Sequence, residues 1–157
     1  MRLRLLTVGR PRDDTAAALH DDYAGRLARL GVHYRSDAVA GERAGARFSD
    51  DHVREREAKA LLAALDRKET LIALDPQGTL WSSEELAERV EAWGTPAGCL
   101  VVGGPLGLHP DLLARAQVSW SLSRLTFPHE LVRVLVAEQL YRALSILRGL
   151  PYHRRSP

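Results

Sequence analysis

Lysine is nearly missing from this chain. Of its 22 basic residues only Lys59 and Lys68 are lysines, which leaves twenty arginines. A Walker-type phosphate loop needs a lysine directly after its last glycine, and neither lysine stands in such a place. Cysteine is limited to Cys99. One cysteine excludes a disulfide framework within the chain and makes a cytoplasmic location the expectation, with Cys99 itself read as a small core residue. Cys99, His109, His129 and His153 fall at no recognised zinc spacing, so no metal is expected. His20, His33 and His52 read as surface residues, and His129 as a structural one. No apolar run approaches the roughly 18 residues that span a bilayer. The opening MRLRLLTVGR has neither a long apolar stretch nor a small-residue cleavage site, so no membrane partner and no signal peptide are expected. Internal repeats and low-complexity tracts are also missing.

What is there is ordinary in bulk and uneven in detail. The 157 residues are 45% hydrophobic and 27% charged, the size and composition of one globular domain. Net charge is only +2 and the sequence pI is about 9.0. The arginine guanidinium is a planar fork that binds two phosphate oxygens at once. Arginines gather at the start (Arg2, Arg4, Arg10, Arg12) and at the end (Arg148, Arg154, Arg155), which points toward a nucleic acid partner.

Short β-like runs alternate with helical ones. LRLLTVG reads as a first strand, and a helix follows with Asp13 or Asp14 as N-cap and Gly31 as its stop. VHYRSDAV alternates like a strand. GERAGARFSD reads as a polar loop and DDHVREREAKALLAALDRK as a helix. TLIALD is a buried strand that ends in a PQG turn, where Asp75 serves either a site or the turn. Ser82 and Glu85 make a capping box for the next helix, which Gly94 closes. GCLVVGG is a second buried strand, Pro110 opens a short helix, and VSWSL is a further strand. The last helix runs from about Pro128 to Arg148. This alternation predicts an α/β fold, a mostly parallel sheet with helices on both faces. The last helix is apolar nearly all round, through Val132, Val134, Val136, Leu140, Leu144 and Leu147, with Glu138 and Arg142 spaced to pair. Such a helix is buried on several sides, and in a chain this small the expectation is that one side packs on a second subunit, a monomer with an apolar helix being the alternative.

Three strand exits carry the candidate site. In CLVVGGPLGLHP (Cys99–Pro110) the glycine spacing and Pro105 rule out a dinucleotide fingerprint. That leaves a tight ligand-free turn or a small-molecule wall. Leu74 and Asp75 end a second buried strand, and Leu122–Phe127 follow a third. Ligands of open parallel sheets sit outside the carboxyl ends of the strands. The tail PYHRR adds Tyr152, which can stack on a base, His153, which can move a proton near neutral pH, and Arg154, which can bind phosphate.

VVGGPLGL, WSLSRLTFPHELVRVLVAEQLYRALSI and PYHRR together resemble the ribosomal RNA large subunit methyltransferases H, a type of SPOUT methyltransferase. TLIALDPQGTLWSSEELA resembles the family's middle strand-turn-helix, so the likeness is strong over residues 71–154 and looser before them. The resemblance implies one SPOUT domain over residues 1–157, with a C-terminal trefoil knot over about 71–157. It implies S-adenosyl-L-methionine as cofactor, bound by Leu74, Gly103, Leu122, Ser123, Arg124, Leu125, Thr126 and Phe127. It implies a homodimer whose active sites are completed across the interface, with His153, Arg154 and Tyr152 as catalytic residues. The implied reaction is methylation of N3 of a pseudouridine in helix 69 of 23S rRNA on assembled ribosomes. Two other readings stay open: another SPOUT enzyme with a different target base, and a non-catalytic ribosome-binding factor.

Overall fold

The structure is a computed structural model that describes residues 1–41 and 47–155. The loop read over GERAGARFSD therefore lies partly outside the described residues, as do the side chains of His153 and Arg155. Five strands, β1 (Arg2–Val8), β2 (His33–Val39), β3 (Glu69–Leu80), β4 (Ala97–Val102) and β5 (Val118–Ser121), form one sheet in the order β2-β1-β4-β3-β5. Every neighbouring pair is parallel. Five helices connect or follow them: α1 (Asp14–Arg29), α2 (Asp50–Ala63), α3 (Ser83–Trp93), α4 (Pro110–Arg115) and α5 (His129–Leu147).

The near-continuous apolar strands have a direct cause, because both faces of the sheet are covered. In β1, Leu3 and Leu5 join one hydrophobic cluster, and Leu6 and Val8 join another. In β3 the same split divides Ile72 and Leu74 from Leu71 and Ala73, and in β4 Leu100 and Val102 from Cys99 and Val101. The first cluster is closed by Leu27 of α1, Leu86 and Val90 of α3, and Val136 and Leu140 of α5. The second is closed by Leu61 of α2 and Leu112 of α4. Helix α5 packs against both α1 and α3, so its many apolar faces have partners within the chain. Leu131 and Leu147 nevertheless stay exposed on α5, and Leu19 on α1.

Arg4 breaks the apolar run of β1 and is only 6% exposed. Its Nε donates to Glu69 Oε1 at 2.8 Å, and Nη2 donates to the Ala64 carbonyl at 2.9 Å. A second, short contact joins Nη2 to the other Glu69 oxygen. The pair is bidentate and satisfied, the condition under which a buried charge is tolerated. Arg4 is therefore internal, and the N-terminal arginine cluster offers a partner fewer cations than the sequence suggests.

Chain ends and turns follow local chemistry. The Asp13 carboxylate accepts the Ala16 amide at 2.7 Å, which settles the N-cap of α1. Both bonds of the Ser82–Glu85 capping box are present, at 3.1 and 2.7 Å. Two expectations change. Strand β3 runs past Asp75 to Leu80, because Thr79 and Leu80 pair again with β5 after a register shift. Within the resulting bulge, Asp75 Oδ1 accepts the Gln77 amide at 3.0 Å. His20 is buried rather than superficial, with Nε2 2.9 Å from the Tyr34 hydroxyl. Among the described residues no helix is long and apolar enough to cross a membrane.

Candidate functional site

The strands β3, β4 and β5 run parallel, and a cavity of about 400 Å³ lies against the bulge of β3 and the carboxyl ends of β4 and β5. Its floor is built by Leu74, Val102 and Trp120. The loop after β4 folds back on itself over the chain that follows. The Gly107 amide donates to the Gly104 carbonyl at 3.0 Å, closing a turn around Pro105 and Leu106. Gly107 takes φ +81°, which a side chain would strain. A Cβ on Gly103 would stand 2.9 Å from the Gly107 backbone, and one on Gly104 2.9 Å from the Glu57 carboxylate. Gly103 is thus required by packing against backbone within the protein, and the glycines leave bare backbone facing the cavity.

Of the residues singled out from the sequence, Leu74, Gly103, Leu122, Ser123, Leu125, Thr126 and Phe127 line this cavity. Arg124 does not. Its guanidinium donates to the Pro76 carbonyl and, at 2.9 Å, to the Gly78 carbonyl. It ties the loop between β5 and α5 to the bulge of β3. Ser121 adds to that tie, with its hydroxyl 3.1 Å from the Pro76 carbonyl and 3.0 Å from the Ser123 carbonyl.

Sequence reasoning missed Trp120 and His129 as wall residues. Trp120 belongs to a cluster with Trp81 and Trp93, whose ring centroids lie 6.4 and 5.9 Å from its own. His129 begins α5 and faces the cavity. Its Nε2 is buried without a hydrogen-bond partner. Burial, and then the charge of Arg133, lower its pKa; Glu130 and the Val8 backbone act the other way. The imidazole is therefore held neutral, with an unused nitrogen in a mostly apolar pocket. Polar groups are few there: Asp75, Ser123, Thr126 and His129 with the glycine-loop backbone. That mixture suits a ligand with an apolar or aromatic body and a small number of fixed polar atoms.

The tail is elsewhere. After α5 a 3₁₀ turn, Pro151–Arg155, lies back on that helix. The Tyr152 hydroxyl donates to Glu138 Oε1 at 3.1 Å and lies 3.1 Å from the Tyr23 hydroxyl. Its ring meets Tyr141 edge-on at 4.8 Å and carries the Arg142 guanidinium at 5.0 Å. Arg142 in turn pairs with Glu138 at 2.7 Å. Burial, then the bonds to Tyr23 and Glu138, push the Tyr152 pKa up, so the phenol keeps its proton. Arg154 is exposed. The cavity meets the first turn of α5 and the tail follows its last. The helix has nineteen residues, and the tail folds back along it as far as Glu138, roughly 14 Å from His129 at 1.5 Å per residue. Neither Tyr152 nor Arg154 is among the residues that line the cavity.

The family model described as "Predicted SPOUT methyltransferase" matches residues 1–153. The chain is 45% identical to "Ribosomal RNA large subunit methyltransferase H" of Alkalilimnicola ehrlichii, over 98% of this chain and 99% of that protein. It is 43% identical to proteins of the same name from Anaeromyxobacter sp. and Chromohalobacter salexigens, over 98% of this chain and all of each relative. Among solved structures it resembles a probable methylase family protein from Haemophilus influenzae, with a TM-score of 0.50 and 15% identity. That match covers 99% of this chain and 71% of the other, and it speaks for the fold alone. By its family model and by its likeness to these relatives along the whole length, the chain belongs to the SPOUT methyltransferase family.

Proposed function

We propose that this protein is an S-adenosylmethionine-dependent methyltransferase that modifies N3 of a pseudouridine in helix 69 of 23S rRNA, on assembled ribosomes. The observation that carries the reading is the apolar cavity at the bulge of β3 and the ends of β4 and β5, walled by bare glycine backbone, in a chain of this family. Its volume of about 400 Å³ and its mixed lining suit an adenosine body with polar ends. The unpartnered His129 Nε2 suits a hydrogen-bond donor on the ligand. Leu74, Gly103, Leu122, Ser123, Leu125, Thr126 and Phe127 would hold the cofactor, with Arg124 fixing the loop that carries five of them. When bound, the cofactor supplies a methyl group made electrophilic by its sulfonium.

The chain's own task is orientation, since an in-line displacement needs no covalent enzyme intermediate. N3 of a neutral pseudouridine carries a proton, and His153 would take it. Arg154 would hold a phosphate or the charge that develops on the base. Tyr152, protonated and fixed by Glu138 and Tyr23, would position the base rather than accept a proton. That Tyr152 and Arg154 do not line the cavity of their own chain supports a homodimer in which one subunit's tail completes its partner's site. Exposed Leu19, Leu131 and Leu147 on α1 and α5 give that partner an apolar surface. The threaded C-terminal knot over residues 71–157, within a single domain, belongs to the same reading. The parallel seats of β4 and β5 on either side of β3 support it.

The test is incubation with labelled S-adenosylmethionine and ribosomes from cells lacking the modification, followed by nucleoside analysis. Label in N3-methylpseudouridine is the expected result. Label in another nucleoside would move the target, and calorimetry showing no cofactor binding would leave a ribosome-binding factor. Binding to ribosomes should weaken steeply with salt, because arginine contacts to phosphate release counterions.

A further inference from the structure

A second cavity, of about 470 Å³, opens at the carboxyl ends of β1 and β2 and shares no lining residue with the first. Its walls include Arg10 after β1, His20 and Asp21 on α1, Asp37 in β2, and Glu130 and Arg133 on α5. The first turn of α5 is the partition between the two spaces. His129 and Val132 line the first cavity, Glu130 and Arg133 the second.

Most polar groups of this second cavity are already engaged. Asp37 is held by Arg4 at 3.5 Å and Arg35 at 3.3 Å. His20 is held by Tyr34 at 2.9 Å and Asp21 at 3.2 Å. Two are not fully engaged. Arg133 is only 4% exposed; one of its terminal nitrogens donates to the Gly9 carbonyl, and its Nε has no partner. Glu130 accepts the Arg12 amide at 2.9 Å through Oε1, and its Oε2 is buried without a partner. A buried donor and a buried acceptor are thus left unsatisfied three residues apart on one helix, a state that is costly in a folded protein.

The chemistry of the missing partner follows from that pair. A bare phosphate would satisfy Arg133 and be repelled by Glu130, Asp21 and Asp37. A planar edge with a carbonyl oxygen beside an N–H would satisfy both orphan atoms together. Uracil and guanine carry such an edge, and proteins that read RNA take splayed-out bases by it. A volume of about 470 Å³ accommodates a nucleoside. We propose that this cavity receives a second, unstacked base of the RNA, next to the one that is methylated. Arg133 Nε donates to its carbonyl, Glu130 Oε2 accepts from its N–H, and Arg10 meets its phosphate at the rim. The inference rests on the RNA methyltransferase reading above, and it makes α5 a divider between a cofactor space and a specificity space.

Three variants test it: Glu130→Gln, Arg133→Lys, and Ala17→Leu, which fills the cavity from α1 without touching a polar group. Each is assayed for ribosome KM and kcat, cofactor affinity, melting temperature and mass by light scattering. The expected result is a ribosome KM raised about tenfold, the worth of one good base contact, with cofactor affinity, kcat and mass unchanged. Should Arg133→Lys fail to fold, the other two variants decide. Unchanged KM in the folded variants overturns the inference and leaves a water-filled space. Loss of dimer mass also overturns it, because the cavity would then be a protein contact. The unaltered protein is assayed on the same ribosomes. If it transfers no methyl group, the functional reading falls and takes this inference with it. If it does, and the variants match it, the inference alone falls.

Discussion

His129 shows how one side chain ties the cofactor space to the stability of the fold. Its ring is placed by the first turn of α5, its Nε2 is buried and unpaired, and burial is the largest effect holding its pKa down. An unfolded histidine takes a proton near pH 6.5. The native residue takes it only at lower pH, so below about 6.5 the unfolded chain binds more protons and stability falls with pH. Above that value the contribution is fully present. Replacement by glutamine removes the titration and keeps a hydrogen-bonding atom. The melting temperature of His129→Gln should therefore fall less between pH 7 and pH 5.5 than that of the unaltered protein; parallel curves would show that another group governs the acid loss.

At the level of elements, the end of α5 decides where the tail goes. Gly149 takes φ +64°, its amide donates to the Ile146 carbonyl at 3.0 Å, and the Leu150 amide donates to the Ser145 carbonyl at 2.9 Å. That is a Schellman ending with a proline directly after it. Gly149→Ala puts a Cβ into the left-handed region at a cost of about 1–2 kcal/mol. It should lower methyl transfer to ribosomes while cofactor affinity, measured by calorimetry, stays the same. Equal losses in both would mean that the change is felt through the whole fold. The strand-helix alternation, the capping box and the exits of β4 and β5 were legible in the sequence, since each depends on local pattern. The continuation of β3 through Asp75–Leu80 was not, because it needs Trp120 of β5 to pair with. The resemblance implies Arg124 as a cofactor contact; the bonds of its side chain to carbonyls 46 and 48 positions earlier are set by long-range packing that no local pattern carries. Trp120 and the burial of His20 were equally out of reach, for both are set by neighbours distant in sequence.

For the whole molecule the decisive geometry is a tail fastened to the middle of α5 and away from the lining of the cavity at its start. The cavity lies at the start of α5, while Tyr152 is held at Glu138 and Tyr23, roughly 14 Å further along the helix. A dimer with each tail over the partner's cavity removes that separation, and a closed two-fold arrangement makes both sites equivalent. Such a site can be complemented. Take one variant with its cavity blocked, Gly103→Val, where even a Cβ would stand 2.9 Å from the Gly107 backbone. Take a second with its tail disarmed, His153→Ala together with Arg154→Ala. Each homodimer should be inactive on ribosomes. When the two are mixed under conditions that exchange subunits, half of the dimers are mixed, and each mixed dimer holds one site with an intact cavity and an intact tail. Activity should return to about a quarter of that of the unaltered protein, the statistical share for two-fold dimers. No return of activity, with exchange verified by mass, would mean that tail and cavity act within one subunit. The 3₁₀ turn would then have to leave Tyr23 and Glu138 and move toward the start of α5, against the contacts that hold Tyr152 where it is.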